Sequence, residues 1–226
     1  MIPWQHLDTA QVPGDGDGDP LRLMRRGTEY SIMTGGIELM NSRLSGSEEA
    51  MATLAFERVG ARSKARVLIG GLGMGFTLRA ALSAFGDDAR IVVAELVPGV
   101  IAWARGPLGA LYGNSLSDPR ATIHEGDVGA LIGAGEAAWD AILLDVDNGP
   151  GGLSRKENDG LYSPAGLADA KRALRPGGLL EVWSSTRDTA FTNRLKRAGY
   201  AVEEVGVRAH KGRGARHVIW LATKPA

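Results

Sequence analysis

Hydrophobic positions change their period along the chain, and those changes mark out its elements. Residues 66–71, 90–95, 121–125, 140–146 and 178–184 hold short, largely continuous apolar runs, as in Ala141-Ile142-Leu143-Leu144. Strands that read this way are covered on both faces, as in a parallel sheet. Between them, 75–85, 98–106, 128–132, 164–174 and 187–198 read as helices. Pro98 and Pro164 stand at helix starts, where a missing N–H costs little. Ser163 is placed to cap the helix that follows it. Residues 201–208 and 217–223 form a closing strand pair, joined through Lys211-Gly212-Arg213-Gly214. Alternating strands and helices with this ending predict an α/β fold: a Rossmann-like, doubly wound seven-stranded sheet with a terminal antiparallel hairpin.

The first 44 residues are patterned differently. Residues 21–24, 29–33 and 37–40 are strand-like, separated by Arg26-Gly27 and Gly35-Gly36. A helix follows. Ser45 and Glu48 have capping-box spacing, Met51, Leu54, Ala55 and Val59 form the apolar stripe, and Gly60 ends it. The chain thus divides into a small N-terminal β-hairpin and helix extension over 1–60 and a Rossmann-type domain over 61–226. Ile32, Ile37, Leu39 and Met40 give the hairpin layer an apolar face that can pair with a second copy, so a homodimer is an expectation.

Composition narrows the function classes. The 226 residues carry 26 basic and 26 acidic side chains, so no global field favours nucleic acid or an anionic membrane. There is no cysteine, which removes disulfides, thiolate nucleophiles and cysteine metal sites together. His6, His124, His210 and His217 are dispersed without ligand spacing, so no metal site is expected. In the acidic stretch from Asp15, Pro20 and Arg26 stand where a calcium loop needs glycine and glutamate, leaving a solvated turn. No apolar run approaches the roughly 18 residues of a membrane span. The N-terminus lacks a basic start followed by an apolar run. A cytoplasmic protein with a small-molecule substrate is the expectation.

Candidate chemistry lies at the strand ends, where open α/β sheets bind ligands. Gly71, Gly73 and Gly75 join the strand at 66–71 to the next helix, allowing close backbone approach to a ligand. Glu95 ends the second strand, twenty residues after Gly75, where a carboxylate can accept from both ribose hydroxyls. Gly126-Asp127 ends the third, where Asp127 can take an exocyclic adenine amine or cap the next helix. The fourth ends in Asp145-Val146-Asp147-Asn148-Gly149-Pro150, the best candidate for holding a cationic or nucleophilic substrate. Asp145 is the candidate base. Trp183, ending the fifth, can stack on a cation or pack in the core.

With these residues in place, the chain resembles the class I S-adenosylmethionine-dependent methyltransferase superfamily, and within it looks like the spermidine synthase (polyamine aminopropyltransferase) family. The resemblance covers roughly residues 40–200. It rests on Gly71 to Gly75 with Leu78-Arg79, on Glu95, Asp118-Pro119-Arg120 and Gly126-Asp127, and then on Trp139-Asp140, Asp145, Gly149-Pro150, Leu161-Tyr162 and Pro176-Gly177-Gly178. It implies S-adenosylmethionine or its decarboxylated form as cofactor, with ribose on Glu95 and adenine near Asp127. It also implies an amine substrate near Asp147, Asn148, Tyr162 and Trp183. The family's glycine motif carries an Asp for the amine of decarboxylated S-adenosylmethionine where this chain has Met74. Glu48-Glu49 fall near its Tyr-His-Glu element, and Trp183 near its usual Gln. Methyl transfer tolerates Met74, because the methyl donor keeps a carboxylate that backbone N–H groups can meet. A methyltransferase acting on a small amine is therefore the leading expectation. Polyamine aminopropyl transfer is the alternative, and a non-catalytic adenosyl-binding protein the second.

Overall fold

The computed structural model describes residues 2–14, 18–146, 150, 159–210 and 213–226. It opens with an antiparallel sheet whose strands lie side by side in chain order: β1 (Gln5–Ala10), β2 (Leu21–Arg26), β3 (Glu29–Thr34) and β4 (Ile37–Asn41). The hydrophobic pattern does not predict β1, whose residues are mostly exposed. Pairing with β2 holds it, together with a 2.7 Å bond donated by Trp103 Nε1 to Asp8 Oδ2. Helix α1 (Gly46–Val59) follows. The expected capping box is absent. Ser45 Oγ donates instead to Glu49 Oε1, and Gly60 stays right-handed at φ −65°.

The remaining elements alternate. β5 (Arg66–Gly70), α2 (Phe76–Ala84), β6 (Arg90–Glu95), α3 (Pro98–Arg105), α4 (Gly109–Tyr112), a 3-10 turn (Ser115–Ser117) and β7 (Ala121–Glu125) build one half. α5 (Val128–Gly133), β8 (Trp139–Leu144), α6 (Asp159–Tyr162), α7 (Pro164–Ala173), β9 (Leu174–Ser184), α8 (Thr189–Arg197), β10 (Ala201–His210) and β11 (Arg213–Thr223) complete it. The strands form one seven-stranded sheet in the order β10-β11-β9-β8-β5-β6-β7, with β11 antiparallel to both neighbours. This is the doubly wound sheet with its terminal hairpin. α4 and the 3-10 turn are too short for periodicity to show.

Two-residue alternation decides which helices cover which face. Val67, Ile69, Ile91, Leu143, Leu179 and Leu221 point into one core with Met51 and Val59 of α1 and Leu78 of α2. Leu68, Ile142, Leu144, Leu180 and Trp220 point into the other with Val128, Leu167 and Phe191. Leu23 and Ile32 of the N-terminal sheet join the first core, so that sheet packs against the larger one. Ile32 and the cavity-lining Leu39 and Met40 are thus engaged within the chain, while Ile37 is exposed. No helix among the described residues is long and apolar enough to cross a membrane.

The strand order reverses between β5 and β8. From β5 the chain moves outward to β6 and β7, then returns to β8 on the other side. Such a reversal opens a crevice at the carboxyl ends of the two strands.

Candidate active site

The crevice is floored by the turn after β5. Gly71 N donates to the Ala94 carbonyl and Asp145 N to the Gly70 carbonyl, tying the turn to the ends of β6 and β8. Gly71 sits at φ +88°, and a Cβ there would overlap the Asp145 carbonyl oxygen. Gly75 caps α2 at φ +78°, and a Cβ there would run into the Tyr112 ring. Both positions therefore need glycine for conformation and for space. The Tyr112 hydroxyl donates to the Gly73 carbonyl at 2.7 Å and braces the turn from α4. Burial, with the Glu95 charge nearby, pushes that phenol well above its ordinary value, so it stays a donor.

Glu95 is 7% exposed. Its Oε2 accepts from Leu72 N at 2.9 Å and its Oε1 from Val97 N at 2.8 Å. The carboxylate thus latches the glycine turn to the β6–α3 turn. Asp127 caps α5, accepting from Gly129 N at 2.8 Å, and Gly126 N donates to the Glu95 carbonyl. Gly71, Gly73, Glu95, Gly126, Asp127 and Asp145 line one cavity, closed on its far wall by Leu21, Ile32, Leu39 and Met40 of the N-terminal sheet.

A second cavity adjoins it. The two share Leu39, Met40, Gly71, Gly73, Asp145 and Val146. The second runs on past Met74, Gly75 and Thr77 to Ser47, Glu48, Trp183 and His217. Asp145 therefore faces both. Its Oδ2 accepts from Thr77 Oγ1 at 3.1 Å. Trp183 lies edge-on to His217 at 4.8 Å, and His217 Nδ1 is 3.1 Å from Ser47 Oγ. Burial lowers the His217 pKa, favouring the neutral ring.

The structure brings together Gly71, Gly73, Glu95, Gly126, Asp127 and Asp145 around one cavity, with Trp183 in the second and Gly75 at the turn's end. Tyr162 is 3% exposed, packs edge-on against Phe191 and is not among the described residues that line either cavity. Asp147 and Asn148 lie outside the described residues. Sequence reasoning missed Tyr112, Thr77 and the wall formed by Leu39 and Met40. These come from other elements, and their spacing along the chain carries no signal. No group of three or more acidic or histidine side chains is placed to hold a metal among the described residues.

Comparison with known proteins follows the same geometry. No family model matches the chain. The polyamine aminopropyltransferase of Mycobacterium tuberculosis is 32% identical over 212 residues, covering 89% of this chain and 37% of that protein. That of Nitrosomonas europaea is 36% identical over 93 residues, covering 41% of this chain and 27% of its own. The chain is a homologue of the polyamine aminopropyltransferases. It spans little more than a third of the length of its curated mycobacterial relative. The spermidine synthase fold is shared as well. The Thermotoga maritima enzyme superposes with a TM-score of 0.71 over 97% of this chain and 73% of that one, at 17% identity. A spermidine synthase bound to the transition-state analogue AdoDATO superposes at 0.74, covering 97% and 72%, again at 17% identity.

These relatives overturn the leading expectation of a methyltransferase. The curated relatives bear the name polyamine aminopropyltransferase and the solved neighbours the name spermidine synthase, which is the alternative reading. Met74 is one departure within a similarity that covers 89% of the chain.

Proposed function

We propose that this aminopropyltransferase homologue transfers an aminopropyl group from decarboxylated S-adenosylmethionine to a small amine. The observation that carries this reading is the position of Asp145, which faces both the nucleoside-type cavity and its neighbour. The nucleoside lies in the first, ribose on Glu95 and adenine beside Asp127. The amine enters the second and meets the sulfonium over the glycine turn. Asp145 accepts a proton from the attacking nitrogen. The nitrogen lone pair forms a bond to the propyl methylene next to sulfur. The C–S bond breaks, its electron pair stays on sulfur, and methylthioadenosine departs. No covalent enzyme intermediate is needed, so the protein's work is orientation and proton acceptance.

The test is to incubate the chain with decarboxylated S-adenosylmethionine and a panel of diamines. Methylthioadenosine and the extended amine are expected in equal amounts. Nucleoside binding without methylthioadenosine would overturn the catalytic reading and leave an adenosyl-binding protein.

A further inference from the structure

We propose that Glu48 anchors the ammonium group of the donor's three-carbon chain. This deepens the aminopropyl reading and rests on it. Three carboxylates line the second cavity among the described residues: Glu38, Asp145 and Glu48. Glu38 is committed elsewhere. It pairs with Arg43 at 3.2 Å and accepts from Ser31 Oγ at 2.7 Å. Asp145 is bonded to Thr77 and stands where the nucleophile loses its proton. That leaves Glu48.

Glu48 lies in the first turn of α1, which brings its carboxylate to the wall shared with Met74, Leu44 and Trp183. Ser47 Oγ donates to its Oε2 at 2.7 Å. Among the described residues no Lys or Arg forms an ion pair with it. Burial raises its pKa, and the neighbouring Glu49 charge adds to the rise, against the Ser47 bond. Among the described residues its charge has no cationic partner, and an ammonium that leaves water for this cavity needs one. The 3.1 Å approach of Ser47 Oγ to His217 Nδ1 ties the bonded hydroxyl back to β11 and fixes the carboxylate's setting. Met74, buried at 2% exposure, offers the chain an apolar wall and no charge.

Titration calorimetry on the full chain tests this with two ligands. One is decarboxylated S-adenosylmethionine. The other is 5′-dimethylsulfonioadenosine, which keeps the nucleoside and the sulfonium charge but lacks the ammonium. Wild-type protein is expected to prefer the first by about tenfold or more. Glu48→Gln is expected to weaken the first about ten- to hundred-fold and to change the second less than about twofold. No wild-type preference, or a folded Glu48→Gln variant that keeps the preference, overturns the anchor. Wild-type protein that binds neither ligand fails differently: it overturns the parent reading, and the anchor with it.

Discussion

Asp145 follows the last residue of β8 and carries the chemistry proposed for this fold; one of its oxygens accepts from the Thr77 hydroxyl, and its backbone N–H donates to the Gly70 carbonyl. Asp145→Asn keeps the shape and removes the proton acceptor. Turnover, read as methylthioadenosine release, is expected to fall about 10²- to 10⁴-fold while nucleoside affinity survives. Equal loss of both would make the residue structural. Glu95 should behave in the opposite way. Because its oxygens hold Leu72 and Val97 N–H, Glu95→Ala is expected to lose nucleoside affinity and about 1–3 kcal/mol of stability together. Glu181 on β9 is a different case. It is fully buried, and neither oxygen has a hydrogen-bond partner among the described residues. Burial raises its carboxyl pKa well above the ordinary 4.5, opposed by the Arg58 charge. Because its pKa is higher in the folded chain than in the unfolded one, the stability it contributes is present below about pH 4.5 and is lost as pH rises. Glu181→Leu is expected to raise stability near neutral pH by about 1–3 kcal/mol. Its melting-temperature advantage over wild type should widen from pH 4.5 to pH 8.

At the scale of elements, the glycine turn is the most constrained piece. Gly75→Ala places a methyl against the Tyr112 ring in a left-handed backbone, with an expected cost of about 1–3 kcal/mol in chemical denaturation. This turn was legible in the sequence because its signal is local: an apolar strand, spaced glycines and a helix. β5, β6, β7 and β8 were legible for the same reason, as were the Asp127 and Ser163 caps, both of which accept from the backbone N–H groups they were expected to meet. What stayed hidden depends on distance. β1 is a polar stretch that becomes a strand through β2 and Trp103. Tyr112 reaches the turn across 39 residues. The capping box failed because Ser45 Oγ found Glu49 instead. Met74 on its own points to methyl transfer, because spacing along the chain does not show that the fold brings Glu48 to the same cavity.

The whole molecule joins two sheets through one core and one cavity wall. Asp140, 1% exposed, pins the base of β8 by ion pairs to Arg62 and Arg175 at 2.7 and 2.8 Å and by accepting from Arg66 N. That leaves the crevice at the other end of the strand, away from this clamp. The small sheet closes the crevice, since Leu21, Ile32, Leu39 and Met40 wall the nucleoside cavity against the glycine turn. A nucleoside held there would touch both sheets at once. Saturating methylthioadenosine should therefore slow amide exchange in β3 and β4 as strongly as in β5, with the protection set by ligand concentration over its dissociation constant. Exchange slowed only in β5 and β6 would mean that the small sheet takes no part in holding the ligand.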